Sequence, residues 1–167
     1  MEASEGFPPI ARSDARILVL GSLPGVRSLS EQQYYAHPQN AFWPIMGDVF
    51  GVSGNYEERC SGLLHHKIAV WDVLRSSERP GSLDADIRQE TAAANDFGHF
   101  LETHPDIELI VFNGRKAEQL FSRLVADEDH HDYRRVGLPS TSPAYAAMRY
   151  QGKLELWSAA LDFLLRS

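Results

Sequence analysis

The chain has 167 residues, 43% of them hydrophobic, with a net charge of −7 and a single cysteine, Cys60. That is enough for one packed core and short for two; no internal disulfide can form, and no run reaches the roughly 18 apolar residues of a membrane span. The acidic balance argues against a protein that coats nucleic acid non-specifically, because Lys and Arg supply most of that affinity, but it leaves room for one that grips a single nucleotide through backbone N–H groups and a few polar side chains.

Met1 to Arg12 mix Pro, Gly and Ser without a period, so residues 1–13 are expected to be a flexible lead-in to one domain spanning 14–167. Nothing at the N-terminus reads as an export signal, and a cytoplasmic chain acting as a monomer is expected. Ile17-Leu18-Val19-Leu20 ends at Gly21, the continuous apolar run of a strand buried on both faces of a parallel sheet. The runs Ile68 to Trp71 before Asp72, Leu109 to Phe112 before Asn113-Gly114, and Arg135 to Leu138 before Pro139 have the same character. Helical spacing marks Phe42 to Phe50, Phe97 to Glu102, Ala117 to Leu124 and a C-terminal stretch from Leu154 to Leu165. Strand and helix alternate, which predicts an α/β fold of three layers, α/β/α, around a mostly parallel four-stranded sheet. The polar segments that follow the strands should then share one crevice.

Two such segments carry chemistry. In the first, Gly21-Ser22-Leu23-Pro24-Gly25 forms a turn whose glycines let backbone N–H groups of Ser22 and Leu23 approach a bound group. Tyr34 and Tyr35, interleaved with His37, Gln39 and Asn40, suit stacking and edge hydrogen bonding to a base. The second, Pro139-Ser140-Thr141-Ser142-Pro143, sets three hydroxyls between prolines, as donors for phosphate oxygens or as a helix cap.

Together these segments resemble the uracil-DNA glycosylase superfamily, over roughly Arg16 to Ala146 by motif order. The turn followed by Ala36-His37-Pro38-Gln39-Asn40-Ala41-Phe42-Trp43 is similar to the first motif of its mismatch-specific uracil and thymine branches, and Leu138 to Ser142 to its second. Uracil-acting branches place Asn or Asp before the proline of the turn, to position or activate water; here that residue is Leu23, which cannot hydrogen-bond water. The Gly-Ser-x-Pro-Gly form, with Arg79, Gly81, Ser82, Leu83 and Asp84, is similar instead to the hypoxanthine-DNA glycosylase branch.

That resemblance implies a monofunctional base-flipping glycosylase of base excision repair whose partner is DNA carrying a deaminated base, hypoxanthine first and uracil in mispairs or single strands as the alternative. It implies catalysis by Asn40, for which helix capping is the competing role, and stacking of the base on Tyr35. His37, Ser140, Thr141 and Ser142 become candidate DNA contacts. Asp72 is a candidate base reader, able to accept from purine N1 when ionised or to donate to N7 when neutral. Asn113 is expected to be structural, as part of an Asn-Gly turn. A catalytically silent lesion binder and a nucleoside hydrolase remain as rivals. The pairs His65-His66 and His130-His131 lack a third ligand at recognisable spacing, so neither a metal nor another cofactor is expected.

Overall fold

The structure, a computed structural model, describes residues 3–78, 87, 92–125 and 132–165. The segment Arg79 to Asp84, the acidic run Asp127 to Asp129 and the pair His130-His131 lie outside the described residues. In chain order the elements are β1 (Ala3–Glu5), β2 (Ile17–Gly21), α1 (Val26–Glu31), α2 (Phe42–Phe50), α3 (Tyr56–His65), β3 (Ile68–Asp72), β4 (Leu74–Glu78) and β5 (Ala93–Ala94). They continue with α4 (Phe97–Thr103), β6 (Leu109–Asn113), α5 (Arg115–Leu124), β7 (Arg134–Leu138), α6 (Tyr150–Leu161) and a closing 3₁₀ turn, Asp162–Leu165.

The four expected strands form one sheet in the order β3-β2-β6-β7, every neighbouring pair parallel. All fifteen residues of β2, β3 and β6 are buried, which is why these strands read as unbroken apolar runs rather than as an alternation. Alternate side chains feed two separate cores. Leu18, Leu20, Ala69, Trp71, Ile110 and Phe112 pack with α4 and α5. Ile17, Val19, Ile68, Val70, Leu109 and Val111 pack with α2, α3 and α6. Helices therefore cover both faces, and the expected three-layer fold is what the chain adopts.

Sheet order also determines where a ligand can sit. From β2 the chain moves outward to β3, then returns to the opposite side of β2 to form β6 and β7. The loops leaving β2 and β6 diverge, opening a crevice at the carboxyl ends of these strands, the usual binding place in an open α/β sheet.

Three features depart from the sequence expectation. Helices α1 and α3 were not anticipated, although α3 carries a legible signal: Asn55 accepts from the Glu58 amide while Glu58 reaches back to the Asn55 amide, a complete capping box. A second, antiparallel sheet of order β1-β4-β5 extends from the end of β3.

The third departure is the N-terminal segment, which is not a loose lead-in. Strand β1 pairs with β4, and Ile10 exchanges two backbone hydrogen bonds of 2.9 Å with Val70. The Phe7 carbonyl accepts from Trp71 Nε1 at 3.1 Å, and the Pro8 carbonyl accepts from the Tyr34 hydroxyl at 2.9 Å. Prolines and glycine hide such a segment from periodicity arguments, because its anchors are backbone groups with no side-chain pattern.

Deleting residues 1–10 removes these bonds and leaves the Trp71 and Tyr34 donors to find water. At about 1 kcal/mol per net hydrogen bond, and more where a buried donor is orphaned, the deletion is expected to lower unfolding free energy by roughly 3–5 kcal/mol. Urea denaturation followed by tryptophan fluorescence checks this; an unchanged midpoint would mean the segment contributes nothing.

Candidate active site

A cavity of about 550 Å³ occupies the crevice, lined from the β2 turn, the segment 34–40, the ends of β3 and β6, and the loop after β7. All nine residues singled out in the sequence line it: Ser22, Leu23, Tyr35, His37, Asn40, Asp72, Ser140, Thr141 and Ser142. Their roles differ more than sequence suggested.

The turn after β2 is pinned from the side. Its Gly21 and Ser22 carbonyls accept from the Val73 and Leu74 amides at 2.8 and 3.1 Å. Leu23 is part of the hydrophobic core that includes Val73 and Leu74, so this position contributes packing and a backbone rather than a polar side chain. Gly21 is required by space. A methyl group there would lie 2.6 Å from Asp72 Oδ1 and 3.1 Å from the Tyr35 hydroxyl, so the missing side chain is what lets a carboxylate and a phenol converge on the inner wall. Asp72 is 4% exposed.

The segment between the turn and α2 is held rigidly. Tyr34 is buried and donates from its hydroxyl to the Pro8 carbonyl. Burial, reinforced by the charge of Asp72, raises its pKa above the ordinary phenol value, so the hydroxyl stays protonated and remains a donor. Tyr35 adopts a left-handed backbone, φ 54°, an uncommon conformation for a bulky residue that persists where surroundings over-determine it. Its ring lies on Phe42, centroids 4.3 Å apart and planes 32° apart, which gives the cavity wall a fixed aromatic surface.

Asn40 does not cap α2, whose N-cap is Ala41. Its Oδ1 accepts from the Phe42 amide at 2.9 Å in an Asx turn leading into the helix, while the residue lines the cavity. That bond fixes the amide plane. One lone pair is used, and the Nδ2 donors together with the second lone pair remain to be offered. His37 is exposed, and its Nδ1 accepts from the Gln39 amide at 3.1 Å; Nε2 is then the N–H of the neutral ring.

The loop after β7 carries one correction. Thr141, expected among the DNA contacts, is 1% exposed, and every polar group it has is engaged inside the protein. Its amide donates to Asn113 Oδ1 at 2.9 Å, its hydroxyl accepts from Asn113 Nδ2 at 2.9 Å, and its carbonyl accepts from the Ala41 amide at 2.9 Å. Thr141 thus fastens the second motif to both the end of β6 and the first motif. Asn113 is structural, as expected, and also lines the cavity. Ser140 and Ser142 are half-buried and shape the turn, their hydroxyls accepting from the amides of Ser142 and Ala144.

Lys153 was not foreseen. It sits on α6, buried to 5% exposure, and its Nζ donates to the Ser142 carbonyl at 3.2 Å. One turn further along, Trp157 Nε1 donates to the Pro139 carbonyl at 3.0 Å. Helix periodicity does place 153 and 157 on the same face, but a lysine among apolar positions reads as solvent-facing until its partner is seen.

A family model described as the Uracil DNA glycosylase superfamily matches residues 8–164. The chain is 40% identical over 116 residues to a Methanosarcina barkeri protein named hypoxanthine DNA glycosylase, covering 68% of this chain and 72% of the relative. It is 42% identical over 115 residues to a protein of the same name from Methanosarcina acetivorans, covering 67% and 72%. A solution NMR structure of a candidate uracil DNA glycosylase from Methanosarcina acetivorans superposes with a TM-score of 0.81 at 35% identity, over 98% of this chain and 99% of that one.

The clamp on Thr141 can be tested without substrate. Thr141→Val keeps the shape and leaves the buried Asn113 Nδ2 without its acceptor, at an expected cost of about 1–3 kcal/mol, whereas Thr141→Ser keeps the hydroxyl and should recover most of it. Chemical denaturation of the three proteins reads the difference; equal stability of the valine and serine variants would remove the hydroxyl from the account.

Proposed function

This chain belongs to the uracil DNA glycosylase superfamily and is a DNA glycosylase, and from that premise we propose that it excises hypoxanthine from DNA, with Asn40 as the orienting group at the reacting bond. The observation that carries the reading is the convergence of Asn40, Tyr35 and Asp72 on one cavity, together with two relatives that bear the name hypoxanthine DNA glycosylase.

The base enters the cavity after leaving the stack and lies against Tyr35, whose ring is backed by Phe42. Hypoxanthine differs from adenine in carrying a hydrogen on N1 and a carbonyl at C6. An ionised Asp72 accepts from that N1–H, whereas adenine presents a lone pair there, which a carboxylate repels. The amides of the Ser22–Leu23 turn suit the C6 carbonyl, and a cavity of about 550 Å³ has room for a bicyclic base.

Hydrolysis breaks the bond between C1′ and the base nitrogen; water adds its oxygen to C1′, and its proton ends on the departing base or in solvent. A neutral amide is too weak to deprotonate water in the ground state. Asn40 therefore acts by orientation: a plane fixed through the Phe42 amide presents donors and a lone pair at a set angle to water or base edge. Holding reactants in place is worth up to about 7–11 kcal/mol in the best cases, so a site with leucine in the usual water-activating position can still turn over. His37 Nε2, Ser140 and Ser142 serve the flanking phosphates.

Asn40→Ser separates the two jobs of this residue, since a serine hydroxyl can also accept from the amide two residues on but has no carboxamide. Release of hypoxanthine from a labelled duplex should fall about 10²- to 10³-fold, the usual cost of removing one preorganised donor, with the melting temperature little changed. Undiminished release would refute the assignment. Release of uracil in preference to hypoxanthine from matched duplexes would refute the substrate.

A further inference from the structure

Three strands end in one row at the floor of the cavity. Gly21 of β2 pairs with Asp72 of β3, and Asn113 of β6 stands one residue beyond the Leu20–Phe112 pair. By the alternation along each strand, all three positions face the side packed by α2, α3 and α6. Asp72 and Asn113 are therefore two interstrand spacings apart, about 10 Å, with a glycine and no side chain between them. Both are buried, 4% and 7% exposed, and both line the cavity. Asn113 also has a donor to spare. The Thr141 amide can only donate, so the atom it meets at 2.9 Å is Oδ1, which fixes the orientation of the Asn113 carboxamide. Nδ2 gives one hydrogen to the Thr141 hydroxyl at 2.9 Å. A primary amide carries two, and the second belongs to a plane that both bonds hold.

We propose that Asn113 reads N7 of the flipped base through this hydrogen, and that the contact selects a 6-oxopurine over a pyrimidine. The proposal rests on the glycosylase reading above and adds a third point to its base recognition. Along one edge of hypoxanthine run N1–H, the C6 carbonyl and N7, a donor and then two acceptors. Across the sheet run the Asp72 carboxylate, the amides of the Ser22–Leu23 turn and the Asn113 amide, an acceptor and then two sets of donors in the same order. With Asp72 on N1, N7 falls toward β6, and N9 with its sugar is on the far side of the base. Adenine fails at the first two points. Uracil offers an N–H and a neighbouring carbonyl, but a C–H at the third. Guanine shares the edge and is discriminated at extrusion, where an intact pair costs more to open than a mismatch.

The same contact serves the chemistry. When the bond between C1′ and N9 breaks, its electron pair stays with the base and spreads over the rings to N7, while the oxygen of water joins C1′. Asn113 transfers no proton. Its N–H meets charge as that charge develops, and a donor already in place does so without reorganising. The clamp on Thr141 supplies that rigidity.

Binding is measured to two duplexes carrying non-hydrolysable 2′-fluoroarabino nucleotides, one of hypoxanthine and one of 7-deazahypoxanthine, which has a C–H in place of N7. Wild type should prefer the first about 10-fold, the worth of one hydrogen bond. Asn113→Asp can keep both bonds to Thr141, because the hydroxyl is able to turn and donate, but it meets N7 with an acceptor. The preference should vanish, and hypoxanthine release from a cleavable duplex should fall about 10²- to 10³-fold in kcat. Thr141→Val loosens the Asn113 plane and should shrink the preference, whereas Thr141→Ser should retain it. Equal affinity of wild type for the two duplexes overturns the proposal, as does a preference that survives in Asn113→Asp or, where that variant does not fold, in Thr141→Val. A wild type that prefers N7 through Asn113 yet releases no hypoxanthine would instead defeat the hydrolysis reading and leave the base reading standing; release without any N7 preference does the reverse.

Discussion

The site depends on the three-way bond made by Thr141. Its amide, hydroxyl and carbonyl join the end of β6 through Asn113, the first motif through Ala41, and the loop after β7 through its own backbone. Two segments about a hundred residues apart in sequence are thereby locked into one wall. Each of these bonds is shielded from water, where a lost partner costs more than an average hydrogen bond is worth. The consequence for chemistry is rigidity. Asn40 lies directly before Ala41, so the anchor that joins the motifs also steadies the residue proposed to orient the reaction.

A glycosylase without a strong base needs that rigidity. Leu23 belongs to the core, and the polar groups around the cavity are the amides of Asn40 and Asn113, the Asp72 carboxylate, hydroxyls, the Arg27 guanidinium and the His37 imidazole, whose Nδ1 is taken up by the Gln39 amide. Such groups act through placement, and placement is lost by small displacements. The structure invests accordingly: Gly21 leaves room for Asp72 and Tyr35 to converge, Tyr35 is held in a left-handed backbone, and α6 grips the Pro139 and Ser142 carbonyls from two positions one turn apart. The acidic net charge of −7 fits the same logic, since a protein that relies on local contacts to one nucleotide does not need a field that attracts DNA everywhere.

Much of this was legible in the residues. Strands buried on both faces leave no ambiguity of period, so Ile17–Gly21, Ile68–Asp72 and Leu109–Asn113 announced themselves. The motif order then placed Tyr35, Asn40, Asp72 and the hydroxyl loop in a single crevice. Less visible was the N-terminal segment, whose anchors are carbonyls of Phe7 and Pro8 and a two-bond bridge at Ile10. Backbone groups are the same in every residue, so no composition reveals which will be used. Helix α3 could have been found from Asn55 and Glu58; α1, six residues with no side-chain cap, could not.

By itself the sequence determined the layer architecture, the place of the crevice and the residue types available within it, because hydrophobic period and turn chemistry are local properties of the chain. Tertiary structure alone decided which of three adjacent hydroxyls is buried. Ser140, Thr141 and Ser142 are alike as donors, and only the position of Asn113 selects Thr141 for the interior. It also decided that Lys153 points inward, since a lysine's stem packs as readily against a core as along a surface, and the carbonyl that draws its ammonium in belongs to a loop eleven residues away.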